Sequence, residues 1–362
     1  MTEHKDIQRL PAEQRFSDEL AQLVDADSGA VPPGWTLSPK AVETFITGDA
    51  DRGISRKFVA REGVVRRIIV ALLSGRGSFM VGPPGTAKSW LSELLAAAVS
   101  SDSTLVIQGS SVTEIGQLLY GWDQSRLATM GYHRDALVPG PLYRGMRDGK
   151  LVRFEELSRC PQPLQDTLLS ILSERVVAVP ELGDNDASLY ARQGFNVVAT
   201  ANSADQGVNQ MSVALKRRLS FETIGPIQHL EDEISVVQSE VALLNRASGI
   251  ELSVPDELLQ ALVTLFHELR TGQSMDGKST HRLAGAALST AEAINVMHSL
   301  SVHAWYFNDG KVEPRDLVHF IIGTALKDRD DDRRRLRYYF DTELGERESP
   351  MWRALYEQRD LI

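Results

Sequence analysis

The chain has 362 residues, enough for two or three domains at about 100–200 residues each. Hydrophobic residues make up 42% and charged residues 24%, a globular composition that excludes disorder throughout the chain. The net charge of −10 argues against a protein whose main work is neutralising a phosphate backbone, and one cysteine, Cys160, excludes an intrachain disulfide and a cysteine-based zinc site.

Residues 1–50 read as peripheral, rich in turn chemistry at Asp25-Ala26-Asp27-Ser28-Gly29 and Val31-Pro32-Pro33-Gly34-Trp35, with one short amphipathic helix expected from Pro39 to Thr47. Met1 to Leu10 has no apolar core of a secretory signal. From Glu62 to Leu73 the apolar positions 64, 65, 68, 69, 72 and 73 form a helical stripe, stopped by Gly75 and Gly77. Short strands are expected at Ser78–Val81, Leu105–Ile107, Leu151–Phe154 and Phe195–Thr200. Helices are expected between them, from Lys88 to about Val99, Thr113 to Tyr120 and Pro163 to Leu172. That alternation predicts an α/β fold, a mainly parallel sheet with helices on both faces.

After about Gly225 the strand signals fade. Gln228–Asn245, Pro255–Arg270, Arg282–Leu300 and Pro314–Leu326 read as helices, which predicts a smaller all-α domain. The tail from Lys327 is dense in charges of both signs and reads as a solvated helix face. No run approaches the roughly 18 apolar residues of a membrane span. With so little cysteine, a reducing, cytoplasmic setting is expected.

Four segments carry chemistry. Gly82-Pro83-Pro84-Gly85-Thr86-Ala87-Lys88-Ser89 lies between a strand and a helix, the context of a phosphate-binding loop. Its glycines let backbone N–H groups close around a phosphate, and the helix N-terminus adds partial positive charge. Lys88 would reach the β- and γ-phosphates and Ser89 would offer a hydroxyl to Mg²⁺. Ala87 stands where the motif has glycine, at modest expected cost, because the helix begins there. Trp90 follows directly and is grouped with the loop, although an indole of that size reads as core rather than as a stacking platform. Second, Glu155 and Glu156 end the strand beginning at Leu151, where a parallel sheet places its ligands. One carboxylate can hold Mg²⁺ or its waters and the next can activate a water. Third, Asn202 follows a buried strand and can hydrogen-bond a phosphate or a water. Fourth, Arg217 and Arg218 end a helix, where they can serve its dipole or reach into a neighbouring subunit. None of the eight histidines makes a metal-ligand spacing, and Cys160 reads as packing.

Together these segments resemble the AAA+ ATPase core, and more closely its MoxR branch. Gly82 to Ser89, Arg153-Phe154-Glu155-Glu156-Leu157-Ser158-Arg159, Leu168 to Arg175 and Ala199-Thr200-Ala201-Asn202 carry the resemblance, which covers about residues 56–300. It implies a P-loop αβα core over 56–225, an all-α lid over 226–328, an N-terminal extension over 1–55 and a charged tail over 329–362. It also implies two insertions. One fits Gly121 to Pro141. The other is a hairpin formed by Arg175 to Val179 and Phe195 to Ala199, around a polar stretch from Glu181 to Gly194.

By the same resemblance, Gly82 to Ser89 is Walker A, and Glu155 and Glu156 are Walker B. Asn202 is sensor 1, Arg218 is the arginine finger and Arg282 is sensor 2. Glu155 departs from the family's aspartate. If the longer acid meets Mg²⁺ only through water, Glu155→Asp should be tolerated. The resemblance implies ATP and Mg²⁺ as ligands and a homo-oligomeric, hexameric ring. It also implies a remodelling chaperone working with a von Willebrand factor A domain protein. Two alternatives stand beside it, a nucleic-acid motor and a slow-hydrolysing ATP-dependent scaffold. The hairpin tip argues against a nucleic-acid partner, because Glu181, Asp184 and Asp186 outnumber Arg192.

Overall fold

The computed structural model describes residues 8–183, 187–203, 211–274, 277, 288–325 and 330–362. The chain divides into two compact units, one of Met1–Gly82 with Ala87–Ile224 and the other of Pro83–Thr86 with Gly225–Ile362.

The first unit opens with three helices, α1 (Ala12–Arg15), α2 (Ser17–Ala26) and α3 (Pro39–Thr47). The Ser38 hydroxyl caps α3 by accepting from the Ala41 N–H, and Pro39 takes the first helical position, where no donor is lost. This segment is not peripheral as expected. Ala12, Leu23, Leu37, Val42, Phe45 and Ile46 are buried in one cluster with Leu91 and Leu94. The turn-forming residues lie between helices whose apolar positions are few but directed inward.

Next come α4 (Val64–Leu73), β1 (Gly77–Gly82), α5 (Lys88–Ser100) and β2 (Val106–Gln108). The helix expected over 113–120 shrinks to α6 (Ile115–Leu118), opened by a Glu114/Gln117 capping box. The chain then extends into β3 (Tyr120–Trp122), which pairs antiparallel with β4 (Leu137–Pro139) across α7 (Gln124–Met130). After α8 (Pro141–Asp148), β5 (Leu151–Glu155) and α9 (Gln162–Ser173), β6 (Val176–Ala178) pairs antiparallel with β7 (Ser188–Tyr190). The hairpin therefore returns within the stretch expected to be its polar connector. Residues 196–199 belong instead to the core strand β8 (Asn196–Asn202). Of that connector, Asp184 and Asp186 lie outside the described residues.

The short α10 (Val213–Lys216) leads into β9 (Leu219–Thr223), a strand that the sequence reading passed over. Its Ser220, Glu222 and Thr223 break any apolar run, as an edge position permits. Glu222 takes a two-pronged ion pair from Arg67 on α4, at 2.7 and 2.9 Å.

The five-stranded sheet has the order β2-β5-β8-β1-β9, all parallel. Its three central strands, β5, β8 and β1, are buried on both faces, and alternate residues divide between them. Met80, Leu151 and Val198 join the cluster that holds α3, α4 and α5 residues. Phe79, Val152 and Val197 join the opposite cluster, with Leu142 and Met146 of α8 and Leu164 and Leu168 of α9.

The second unit is helical: α11 (Leu230–Ala247), α12 (Asp256–Thr271), α13 (Thr290–Phe307), α14 (Pro314–Ala325), α15 (Asp330–Tyr339), a π-helical turn at Phe340–Leu344, and α16 (Pro350–Tyr356). The charged tail is more than a solvated face. Leu336, Tyr339, Phe340, Leu344 and Leu355 are buried with Leu262, Phe266 and Leu300. Positions 336, 339, 340 and 344 repeat at helical spacing, while Arg333 and Arg334 are exposed. Buried Glu268 accepts a hydrogen bond from the Tyr339 hydroxyl and one from Arg347 at 2.7 Å, which fastens the tail to α12. Among the described residues no helix is long and apolar enough to cross a membrane.

Candidate nucleotide-binding site

Strand pairing brings the site residues together. The β1–β8 register sets Gly82 opposite Asn202, so the start of the loop and the end of β8 share one edge of the sheet. The β5–β8 register sets Phe154 opposite Ala199, which brings Glu155 beside Thr200. All of this lies at the carboxyl ends of parallel strands, where open α/β sheets bind ligands.

Within the loop, Thr86 Oγ1 donates to the Pro83 carbonyl at 3.0 Å, and Gly85 takes a positive φ of 74°. Ala87 also lies in the left-handed region, at φ 59° and ψ 29°, as the N-cap of α5. A Cβ there costs about 1–2 kcal/mol, which is why the motif has glycine at this position. Lys88 and Ser89 then open a 13-residue helix whose first N–H groups have no partner within the helix.

Lys88 Nζ donates to the Gly82 carbonyl at 3.0 Å and to Asn202 Oδ1 at 2.8 Å. Asn202 Nδ2 donates to Glu156 Oε1 at 2.7 Å. Glu156 lies in the left-handed region, at φ 55° and ψ 42°, and its N–H donates to Thr200 Oγ1 at 3.2 Å. Strain of this kind in a residue with a side chain persists only where its surroundings hold it.

Glu155 is 4% exposed and its two oxygens have different partners. Oε2 accepts from Ser89 Oγ and from Thr200 Oγ1, both at 2.7 Å. Oε1 accepts from Ser92 Oγ at 2.5 Å and from the Arg153 guanidinium at 3.2 Å. A hydroxyl and a carboxylate meeting beside a phosphate loop are hard oxygen donors and fit Mg²⁺, which takes one or two protein oxygens and completes its shell with water and phosphate.

The structure thus brings Lys88, Ser89, Glu155, Glu156 and Asn202 into one hydrogen-bonded group. Arg218 is held elsewhere. Its Nη1 donates to the Ala214 carbonyl at 2.9 Å and its Nε to Ser173 Oγ. The Arg217 carbonyl accepts from Arg76 at 3.1 Å. Arg282 lies outside the described residues. The Trp90 indole packs beside Phe16, at 6.1 Å between ring centres, and donates from Nε1 to the Lys57 carbonyl at 3.0 Å. Cys160 is buried, and burial pushes its thiol above the ordinary range, as suits a packing residue.

Sequence reasoning missed Ser92, Arg153 and Thr200. Each had a signal. Arg153 is a charge inside a strand of apolar residues, Thr200 stands two positions before Asn202 on the same strand face, and Ser92 lies one helical turn after Ser89.

Residues 77–219 match the AAA domain of the dynein-related subfamily, and residues 231–362 match the YehL-like AAA+ ATPase C-terminal domain. The chain is 48% identical over 357 residues to the uncharacterised protein YehL of Escherichia coli, an alignment covering 99% of this chain and 98% of that one. It is 24% identical over 221 residues to an uncharacterised protein of Staphylococcus haemolyticus, covering 60% of this chain and 77% of the other. Among solved structures, NtrX from Brucella abortus in complex with ATP is similar at 14% identity, with a TM-score of 0.47, over 84% of this chain and 69% of that one.

Proposed function

We propose that this chain, which belongs to the YehL-like family of AAA+ ATPases, binds and hydrolyses ATP as a MoxR-like remodelling chaperone. It works in the cytoplasm as a ring, six subunits being the expected number, with a partner carrying a von Willebrand factor A domain. One observation supports the catalytic part most directly: the unbroken run from Lys88 through Asn202 to Glu156, at 2.8 and 2.7 Å.

Each member of that run has a task. The loop amides and the start of α5 hold the phosphates. The Lys88 ammonium transfers its hydrogen bonds from Gly82 and Asn202 to phosphate oxygens. Asn202 orients the Glu156 carboxylate, which accepts a proton from the attacking water. Ser89 and Glu155 would hold Mg²⁺, which would supply charge neutralisation on the phosphates. Arg218 reaches the site of the neighbouring subunit, a role suited to a guanidinium placed away from its own Lys88. The acids in the hairpin disfavour the nucleic-acid motor.

Steady-state turnover of Glu156→Gln tests this reading. The amide keeps the shape and cannot take a proton, so turnover should fall about 10²–10⁴-fold while ATP still raises the melting temperature. Unchanged turnover would remove Glu156 as the base. A wild-type protein that binds ATP without measurable turnover would establish the scaffold.

A further inference from the structure

Arg153 stands two residues before Glu155 on β5, so the period of the strand puts both side chains on the same face. It is 9% exposed. Nε donates to Ser92 Oγ at 3.0 Å, Nη1 to the Ser103 carbonyl at 3.0 Å, and Nη2 to the Ser89 carbonyl at 3.1 Å and to Glu155 Oε1 at 3.2 Å. Nη1 also lies 3.7 Å from Glu93 Oε2, and Glu93 takes a 2.7 Å ion pair from Arg9. Four charges of alternating sign therefore run from the N-terminal segment to the phosphate loop.

We propose that Arg153 is a positioning residue that serves as a resident counter-charge to Glu155. It holds Oε1, leaves Oε2 to the Ser89 hydroxyl, and weakens the hold of the site on a divalent cation. This rests on the nucleotide-site reading above. A buried carboxylate needs a cation or strong donors. Here the protein supplies both, so the carboxylate is neutralised and oriented before any metal arrives. A divalent ion must then share Glu155 with a fixed positive charge, and like charges in a partly buried site repel strongly. Ser92 and Arg153 fasten Oε1 from one side while Ser89 and Thr200 engage Oε2. The metal-facing atom is thereby chosen by the hydrogen-bond pattern.

The test is Mn²⁺ binding, read as free-ion EPR signal, to full-length protein saturated with a non-hydrolysable ATP analogue. Arg153→Met removes the charge, and Glu93 retains Arg9 as its partner. Mn²⁺ affinity should rise by about tenfold or more. Arg153→Lys keeps the charge on fewer donors, so affinity should stay within about twofold, although the urea midpoint of the metal-free protein falls in both variants. A purely structural arginine would leave affinity unchanged or weaker in Arg153→Met, and either result overturns the proposal. If Arg153→Met does not fold, Arg153→Lys decides alone: a tenfold loss of Mn²⁺ affinity overturns the proposal, and retained affinity in a less stable protein supports it. Wild-type protein that binds no nucleotide would overturn the underlying site reading and this proposal with it. Wild type that binds nucleotide and Mn²⁺ normally, with Arg153→Met at the wild-type affinity, would overturn this proposal alone.

Discussion

Glu155→Asp distinguishes the structure from the family pattern most sharply. On sequence grounds the shorter acid should be tolerated, because it is the residue the family carries there. The contacts say otherwise. Aspartate draws the carboxylate back by one carbon–carbon bond, about 1.5 Å. The backbone cannot follow, since β5 is paired on one side with β2 at Gln108 and on the other with β8 at Ala199. Hydroxyls now at 2.5–2.7 Å would then stand beyond hydrogen-bond reach. A hydrogen bond to a charged acceptor contributes about 1.5–3 kcal/mol. Ser92 has an alternative acceptor in the Ser89 carbonyl at 2.8 Å, so its loss counts for little. The loss of the Ser89 and Thr200 bonds has no such compensation, and together they come to about 3–6 kcal/mol. For a unit of this size each kcal/mol shifts the melting temperature by about 2–4 °C, so the metal-free, nucleotide-free protein should melt at least about 6 °C lower. Differential scanning calorimetry reads the shift directly. A Glu155→Asp protein melting within about 2 °C of wild type, with equal ATP turnover, would refute the claim that this pocket is built around the longer acid.

Three further outcomes are expected. Lys88→Ala should lose the ATP-induced rise in melting temperature, because the Lys88 ammonium, which donates to Gly82 and Asn202, is the charge placed at this edge to meet phosphate; a retained rise would mean the loop is not the phosphate site. Arg218→Ala should bind ATP normally yet turn over about 10³–10⁵-fold more slowly, and mixing it with Lys88→Ala subunits should recover partial activity; no recovery, with turnover independent of protein concentration, would contradict a finger acting between subunits. In the helical unit, burial alone would raise the Glu233 carboxyl, but hydrogen bonds from His267, Arg270 and Thr290 and the charge of Arg270 outweigh it and hold it below the ordinary carboxylate range. A depressed acid stabilises the fold above its ordinary range and stops doing so as pH falls through the depressed value. Acid unfolding monitored by circular dichroism should therefore show a steep limb below the carboxylate range that flattens in Glu233→Gln.

The central strands and the phosphate loop were legible because they carry dense local signals. Buried parallel strands are short apolar runs, and a phosphate loop needs glycine, lysine and a hydroxyl in fixed order. What was illegible depends on partners far away in sequence. The edge strand β9 alternates Leu219, Ser220, Phe221 and Glu222, which reads as nothing until Arg67, 155 residues away, takes up the glutamate. The C-terminal tail looked solvated because its charges outnumber its apolar residues, yet spacing alone put Leu336, Tyr339 and Phe340 on one side. Composition counts residues, whereas burial depends on which way they point. In the site, the carboxylates, Lys88 and Asn202 were visible as types in sequence. Their joining was not, because it follows from strand register, and so Ser92, Arg153 and Thr200 were given no role in the site.

The departure at Glu155 and the unexpected burial of the N-terminal segment belong to one arrangement. An extra methylene on the acid brings the carboxylate to three hydroxyls and a guanidinium. That guanidinium sits beside Glu93, and Glu93 is paired by Arg9 of the N-terminal segment. The same segment supplies Phe16 against Trp90, one residue beyond Ser89, and supplies Glu19 to the buried Lys57 ammonium at 2.5 Å. Burial pulls the Lys57 pKa down while Glu19 opposes that pull, so the ion pair keeps a cation where it would otherwise be costly. Burying a Leu, Val, Ile or Phe side chain is worth about 1.5–3 kcal/mol. Five of them from this segment, Leu23, Leu37, Val42, Phe45 and Ile46, are buried in the cluster that holds α4 and α5. Residues 8–55 are thus a layer of the first unit itself, and their ion pairs lead through Glu93 to Arg153, which bonds Glu155 directly.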